Sequence, residues 1–175
     1  APGPRSPAAA TPPAPVSACA RVAPGTGAAP LAPMRTGAAV ALARAGERTL
    51  AYVADEDARA VHAIELPAAG SGSGNQGRLL ATTSLDGAPS QLLLADDGRL
   101  LVALRDKSAV QVLEPAADPA APLASRCLAP TPAEPIGLAL TPDAGTLLVT
   151  AGWGASLTAY RAASLDRAWE LPLAR

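Results

Sequence analysis

The sequence predicts an all-β fold, because its apolar residues come in short runs that stop at turn-forming residues. The clearest example is the stretch 135–151, in which two apolar runs flank the turn Pro142-Asp143-Ala144-Gly145. A helical repeat would need apolar residues at positions i, i+3 and i+4 over about a dozen residues, and no run here keeps that spacing. Asp and Gly at the breaks suit the backbone conformations that tight hairpins require.

The same order of strand, turn, strand, turn and strand occurs three times along the chain. The turn glycines Gly46, Gly98 and Gly145 are 52 and 47 residues apart. A period of roughly 45–50 residues with several short strands is typical of a blade of a β-propeller. Each copy is followed by a run of mixed polarity, as expected for a half-solvated outer strand. These outer strands are predicted at 78–84, 123–128 and 167–171.

The chain therefore divides into a leader and three four-stranded antiparallel blades. Residues 1–35 are rich in Pro and Ala and are predicted to be mostly extended, because Pro fixes φ and lacks an N–H donor. Within the leader, the run 16–22 is predicted to add an edge strand. The blades are predicted at about 36–84, 85–129 and 130–175.

Three blades are fewer than a closed propeller needs, since closed rings contain about 4–8 blades. The sequence thus predicts a partial propeller, the N-terminal portion of a larger ring. Further blades are expected to complete it, either from a C-terminal part beyond Arg175 or from another chain. An open fan that stands alone would leave exposed sheet flanks, which favour aggregation.

Charge and hydropathy narrow the classes of partner. The formal net charge is −1 and the pI is about 5.8, with the 14 basic residues scattered along the chain. Proteins that bind nucleic acid usually show a clustered basic face, so no nucleic-acid partner is predicted. No window approaches the 18 or more apolar residues of a membrane-spanning helix, and no membrane span is predicted either.

The N-terminus and the two cysteines predict an exported protein. The chain begins at Ala1 without an initiator Met, which suggests a mature end left after signal-peptide removal. Cys19 and Cys127 are far apart and lack metal-binding spacing. In an oxidising compartment, periplasmic or extracellular, they are predicted to form a disulfide that ties the leader to the blades. The alternative is a pair of unpaired thiols in a cytosolic protein.

The third copy resembles the YVTN-type β-propeller repeat of exported bacterial proteins. That repeat has an apolar strand, Ser/Thr-Pro-Asp-Gly, and a strand that ends in Tyr-Val-Thr-Asn; the segment 136–150 follows this order, and Tyr52-Val53-Ala54-Asp55 stands at the second-strand signature of the first copy. The resemblance covers about residues 36–171. The copies depart from the pattern by lacking Asn after the second strand, and the first copy has no Pro-Asp in its turn. Propellers host many unrelated functions, so the resemblance implies a fold and an exported bacterial origin.

No catalytic or metal site is predicted. His62 is the single histidine, and without further ligands at coordination spacing it is expected to be structural or solvent-facing. The turn Asp55-Glu56-Asp57 offers carboxylates to a calcium ion, although a solvated turn is preferred. Met34 could serve as an axial ligand of a haem iron, but it is expected to pack in a loop. The segment 70–77 lacks Gly-Lys-Ser/Thr and is predicted to be a linker. No Gly-x-Ser-x-Gly motif supports a Ser/His/Asp triad.

One residue is a candidate for binding a partner. Trp153 stands between Gly152 and Gly154 in the turn between the second and third strands of its blade, a turn expected on one rim of the propeller. Tryptophan is enriched among interface anchors. The alternative is that Trp153 packs over a neighbouring blade. Trp169, in an outer strand, is predicted to link adjacent blades.

The sequence therefore predicts a non-catalytic binding or scaffold module of an exported bacterial β-propeller protein. Its expected partners are the remainder of the propeller and a further protein. The alternative, which the resemblance alone supports, is the propeller part of a periplasmic or extracellular electron-transfer protein of cytochrome type. No cofactor is predicted in this chain, because it contains no Cys-x-x-Cys-His motif. In the alternative, the haem segments would lie outside it.

Overall fold

The computed structural model describes residues 18–20, 32–35, 39–68 and 76–173. Most of the leader and residues 70–75 of the predicted linker lie outside these ranges. The described residues form strands and one short 3-10 helix, η1 (Arg105–Lys107). The strands are β1 (Ala32–Arg35), β2 (Val40–Ala45), β3 (Arg48–Asp55), β4 (Ala60–Leu66), β5 (Arg78–Ser84), β6 (Pro89–Leu94), β7 (Leu100–Leu104), β8 (Ala109–Glu114), β9 (Ala124–Pro130), β10 (Pro135–Leu140), β11 (Thr146–Ala151), β12 (Ser156–Arg161) and β13 (Arg167–Pro172).

The strands form three antiparallel sheets that follow one another along the chain. The first sheet has the order β1-β2-β3-β4-β5, the second β6-β7-β8-β9 and the third β10-β11-β12-β13. Each strand pairs with its neighbour in sequence, which is the meander of a propeller blade. The predicted fold class is confirmed: the chain is all-β and forms part of a β-propeller-like fold. The predicted outer strands are β5, β9 and β13.

The first sheet contains a fifth strand that the sequence pattern does not predict. β1 pairs with the otherwise open edge of β2, with a bulge between Pro33 and Arg35. Proline is tolerated there because an edge strand does not need every N–H for pairing. Met34 lies in this strand. The edge strand predicted at 16–22 is wrong at the residues that are described, since 18–20 form a turn.

The sheets pack face to face, and the second sheet is buried on both faces. One core cluster lies between the first and second sheets and includes Leu92 and Leu94. Another lies between the second and third sheets and includes Leu93 and Leu101. All five residues of β7 are buried. Successive side chains of a strand point to opposite faces, so β7 and β8 need nearly continuous apolar runs and show little polar alternation. The outer strand β9 is mostly exposed and of mixed polarity.

Polar side chains fasten the second sheet to the third. Gln91 Nε2 donates to the carbonyl oxygen of Leu138 at 3.1 Å, and Gln91 Oε1 accepts from Leu138 N at 2.7 Å. Ser90 Oγ donates to the carbonyl oxygen of Pro135 at 2.8 Å. At the outer side, the hydroxyl of Tyr160 donates to the carbonyl oxygen of Pro130 at 2.9 Å. These hydrogen bonds satisfy backbone groups between the sheets and fix the offset of one sheet against the next.

The three repeat turns reach the same hairpin by different means. Gly46 and Gly98 adopt φ of 61° and 86°, in the left-handed region that favours glycine. In the third turn the left-handed residue is Ala144, with φ of 54°, and not Gly145 as the repeat predicts. There Asp143 Oδ1 accepts from Thr141 Oγ1 at 2.6 Å and from Gly145 N at 3.1 Å. This local network compensates for a side chain in a less favourable backbone region.

A disulfide joins the leader to the second sheet, as predicted. Cys19 and Cys127 are bonded, with their Cα atoms 5.5 Å apart and a sequence separation of 108. Cys19 is buried beside the cluster between the second and third sheets, and Cys127 of β9 packs against the same cluster. The leader is thus anchored on the outer strand of the middle blade.

Replacing Leu94 by Ala should lower the free energy of unfolding by about 2–5 kcal/mol, because a fully buried leucine leaves a cavity when it is truncated. Leu94 is 0% exposed between the first two sheets. Urea denaturation followed by far-ultraviolet circular dichroism measures the change. The matched control is Leu128→Ala on β9, where the side chain is 46% exposed, and a loss as large in the control would contradict the assigned core.

Removing the disulfide should lower the free energy of unfolding by about 2–5 kcal/mol, because the bridge restricts the unfolded chain over a long loop. The comparison is between the oxidised protein and the double variant Cys19→Ser, Cys127→Ser in urea denaturation. A reductant should destabilise the former and leave the latter unchanged. Equal midpoints for the oxidised protein and the double variant would show that the bridge does not stabilise the fold.

Candidate functional site

The turns at one end of the three sheets form a continuous surface, here called the rim face. It consists of residues 55–59, 85–88, 105–108, 131–134 and 152–155. Backbone hydrogen bonds tie neighbouring segments together: Leu85 N donates to Arg59 O at 2.8 Å, and Arg105 N donates to Ala88 O at 3.0 Å. Gly152 N donates to Glu134 O at 2.8 Å. The rim face is therefore held by the blades and does not consist of independent loops.

Trp153 lies on the rim face, in the turn between β11 and β12, and is 72% exposed. Close approach of the segment 131–134 favours glycine at both flanking positions, most strongly at Gly154, because the nearest atom to Gly152 is the end of the flexible Glu134 side chain. A Cβ atom on Gly152 would lie 2.8 Å from Glu134 Oε2, and one on Gly154 would lie 2.9 Å from Pro132 Cβ. Both distances are shorter than normal van der Waals contacts. The turn thus sits close against its neighbour while the indole ring extends into solvent.

Ion pairs cross the rim face from blade to blade. Arg59 of the first blade lies 3.0 Å from Asp106 of the second. Arg105 lies 3.6 Å from Glu56 on one side and 3.9 Å from Glu134 on the other, so it bridges all three blades. The pKa of Asp106 is lowered, first by the hydrogen bond from Ala88 N and then by the charge of Arg59. The sequence does not reveal this network, because its members are distant in the chain.

The acidic turn after β3 is occupied by local contacts. Asp55 Oδ1 accepts from Ala58 N at 2.8 Å, and Asp55 Oδ2 lies 3.2 Å from His62 Nε2. These two contacts, in that order, lower the pKa of Asp55. Their stabilising effect is present above the usual pKa of an aspartate and is lost as the pH falls through the lowered one. Among the described residues, no group of three or more His, Cys, Asp or Glu side chains is arranged to hold a metal ion.

His62 is the middle member of a polar row on the first sheet. Its Nδ1 atom lies 3.0 Å from Thr82 Oγ1 on β5, and its Nε2 atom contacts Asp55 as described above. The row follows strand register, since His62 is paired with Val53 on β3 and with Thr82 on β5. The sequence does not predict that the Thr82 hydroxyl, the His62 imidazole and the Asp55 carboxylate lie together. Only the pairing of β4 with β5 brings Thr82 to His62.

Two further concave regions are present, one away from the rim face and one that reaches it at Thr131 and Pro132. A cavity of about 120 Å³ between the turn after β6 and the loop after β12 is lined by Arg99, Asp97 and Asp96. Arg99 donates from Nε to Asp97 Oδ2 at 2.8 Å and from Nη2 to Ala162 O at 2.6 Å, while its buried Nη1 has no hydrogen-bond partner among the described residues. Asp96 and Asp97 place two carboxylates beside the single guanidinium of Arg99. The lining is therefore negative on balance and does not suit an anionic ligand. A groove of about 610 Å³ lies beside Cys19 and the outer strands β9 and β13.

Comparisons of sequence do not assign the chain to a family. No family model matches it, and no curated protein matches it. The YVTN resemblance therefore has no support from a family match. No helix among the described ranges is long and apolar enough to cross a membrane.

Comparisons of structure do find similar folds. A proposed 6-phosphogluconolactonase from Bacteroides fragilis has a TM-score of 0.59 and 18% identity, over 71% of this chain and 36% of that one. Another from Bacteroides uniformis has a TM-score of 0.58 and 15% identity, over 77% and 52%. A protein from Lactobacillus plantarum has a TM-score of 0.59 and 12% identity, over 83% and 55%. The chain thus spans between about a third and about half of these structures, and at such identities the likeness shows the fold alone.

Proposed function

We propose that this chain is a non-catalytic binding module of an exported, YVTN-like β-propeller protein, and that it binds a protein partner through the rim face. The observation that carries this proposal is Trp153, a large aromatic side chain that is 72% exposed on a turn. Aromatic residues of this kind are frequent anchors of protein–protein interfaces. The disulfide between Cys19 and Cys127 supports export, because such bonds persist in oxidising compartments.

The surroundings of Trp153 suit an anchor that is ordered before binding. Backbone hydrogen bonds from Gly152 N to Glu134 O at 2.8 Å and from Gly154 N to Ala133 O at 3.2 Å hold the turn against the segment 131–134. Arg105 lies between Glu134 and Glu56 of the first blade. Ion pairs therefore join the turns of neighbouring blades close to the indole. A surface that is ordered in advance loses less conformational entropy on binding.

The charge of the rim face indicates the chemistry of the partner. Acidic side chains outnumber basic ones on the rim face, and two of the three basic ones, Arg59 and Arg105, are already paired with acids. A partner with an apolar pocket for Trp153 and basic residues around that pocket would match this surface. The same charge opposes a phosphorylated small molecule. The acidic residues are Asp55, Glu56, Asp57, Asp86, Asp106 and Glu134, and the basic ones are Arg59, Arg105 and Lys107.

Replacing Trp153 by Ala should weaken binding of the partner at least tenfold, because truncation of an anchor typically costs about 2 kcal/mol or more and 1.4 kcal/mol is tenfold. The tagged chain is incubated with an extract of the exported proteins of its own cells. Retained proteins are identified by mass spectrometry, and the affinity of each is then measured by calorimetry. Leu128→Ala, which truncates an exposed side chain on β9, is the matched control. Partners that bind the protein and Trp153→Ala equally would contradict the proposal.

Hydrolysis of a lactone distinguishes the binding role from a catalytic one, since two of the structural neighbours carry a lactonase name. The purified chain should not accelerate hydrolysis of 6-phosphogluconolactone above the buffer rate, because its rim face is acidic and the substrate is anionic. Proton release at constant pH measures the rate. Acceleration that disappears in the variant Arg105→Ala would instead support a catalytic role for the rim face.

A further inference from the structure

The strand register defines equivalent positions in the three sheets. On the face of the second sheet that meets the first, Leu92 pairs with Val102 and Leu94 pairs with Leu100. All are 0% exposed, as is Leu113, which pairs with Leu100 from β8. The same pairings occur in the first sheet, where the equivalent residues are Val40 with Val53, Leu42 with Ala51, and Ile64 with Ala51. The first sheet thus carries the apolar pattern of a packed face on its outward side.

That outward side of the first sheet is only partly covered. Val40 is 42% exposed, and Leu42, Val53 and Ile64 are half-buried. Their counterparts in the third sheet, such as Leu138 and Val149, pack on the second sheet and are 5% and 0% exposed. The outward side of the first sheet therefore has the apolar side chains against which a preceding blade could pack. We call this surface the entry face.

The third sheet shows the complementary situation on its own outward side. In the second sheet, Val110 pairs with Ala129 and Val112 with Cys127, on the face that meets the third sheet. The equivalent pairs in the third sheet are Leu157 with Leu171 and Ala159 with Trp169. Leu171 is 52% exposed and Trp169 is 48% exposed, whereas their counterparts Ala129 and Cys127 are 3% exposed and half-buried. On β12, Leu157 is half-buried and the smaller Ala159 is 0% exposed. We call this surface the exit face.

We propose that a second copy of this chain covers both faces, so that the exit face of each copy packs on the entry face of the other. Within the chain, the first sheet packs on the second and the second packs on the third. In both interfaces, the face equivalent to the exit face meets the face equivalent to the entry face. The contact between copies would have the same arrangement. Among the described residues, the surface with the matching pattern for the exit face is the entry face itself. Three sheets from each copy make a ring of six around a twofold axis, within the range of about 4–8 blades of closed propellers.

The polar position in the middle of the entry face is compatible with burial. His62 is equivalent by register to Gln111 in the second sheet and to Thr158 in the third, since each pairs with the corresponding valine of the neighbouring strand. Gln111 is 1% exposed and Thr158 is 0% exposed. Both ring nitrogens of His62 have partners within its own sheet, at 3.0 Å and 3.2 Å. A covering sheet would therefore bury a polar group whose hydrogen bonds are already made.

Two of the three structural neighbours have lengths that agree with a ring of two copies, whereas the chain spans only 36% of the Bacteroides fragilis structure. The chain spans 52% of the Bacteroides uniformis structure and 55% of the Lactobacillus plantarum one. Two copies would therefore supply about as much chain as one of these proteins contains. Trp169 would then link adjacent blades, the role that its sequence position predicts, across the interface between copies.

Sedimentation velocity of the full chain tests the proposal. A mass of twice 17.3 kDa is expected, because burying both faces removes their apolar side chains from water. Trp169→Asp on the exit face and Ile64→Asp on the entry face should each give the monomer mass, since a charge would be buried at both contacts. Leu128→Asp, on the outer strand of the middle sheet, should remain a dimer. Circular dichroism verifies that each variant is folded, and Leu171→Ser and Val40→Ser replace any variant that is not.

A mixing experiment distinguishes the ring from other dimers. When Trp169→Asp and Ile64→Asp are combined, one of the two contacts in a mixed dimer has the natural residue on both sides. Dimer mass should therefore reappear in the mixture, although each variant alone is monomeric. A monomeric parent chain, polymers heavier than the dimer, or a dimer that persists in both single variants would overturn the proposal. So would a mixture that stays monomeric.

Discussion

The structure depends on the burial of the middle sheet between its two neighbours. Leu92 and Leu94 point to the first sheet, and Leu93 and Leu101 point to the third. Because both faces of β7 and of most of β8 are removed from water, apolar burial holds the first and third sheets against the second. Gln91 fixes the position of the second sheet relative to the third, since its side-chain amide hydrogen-bonds both the N–H and the carbonyl of Leu138.

The rim face inherits its order from this packing. Its turns begin and end in strands whose positions the cores determine, so that charges from distant parts of the chain meet. Arg105 follows a buried strand of the second blade and reaches Glu56 and Glu134 of the blades on either side. Trp153 extends from the same surface, on a turn that backbone hydrogen bonds hold against the segment 131–134. A rigid scaffold with variable turns is a common arrangement for binding proteins.

Different kinds of feature were predictable to different degrees. The hairpins around Gly46, Gly98 and Gly145 were predictable because turn chemistry is local. The disulfide Cys19–Cys127 was predictable from the expected oxidising compartment and from the number of cysteines, since two cysteines allow one intramolecular pairing. The strand β1 was not, because Pro-rich segments are poor strands except at an edge. The left-handed residue in the third turn is Ala144 because the Asp143 hydrogen bonds, rather than glycine, stabilise that turn.

The sequence by itself determined the repeat, the short strands, the outer strands and the all-β fold, because these follow from the spacing of apolar and turn residues. Only the tertiary structure decided which face of each strand is buried, which charges meet on the rim face, and that Thr82, His62 and Asp55 form a row. The physical reason is that these contacts depend on the register of strands and the offset of sheets. Shifting one strand by a single residue would exchange its faces, and composition alone does not set that register.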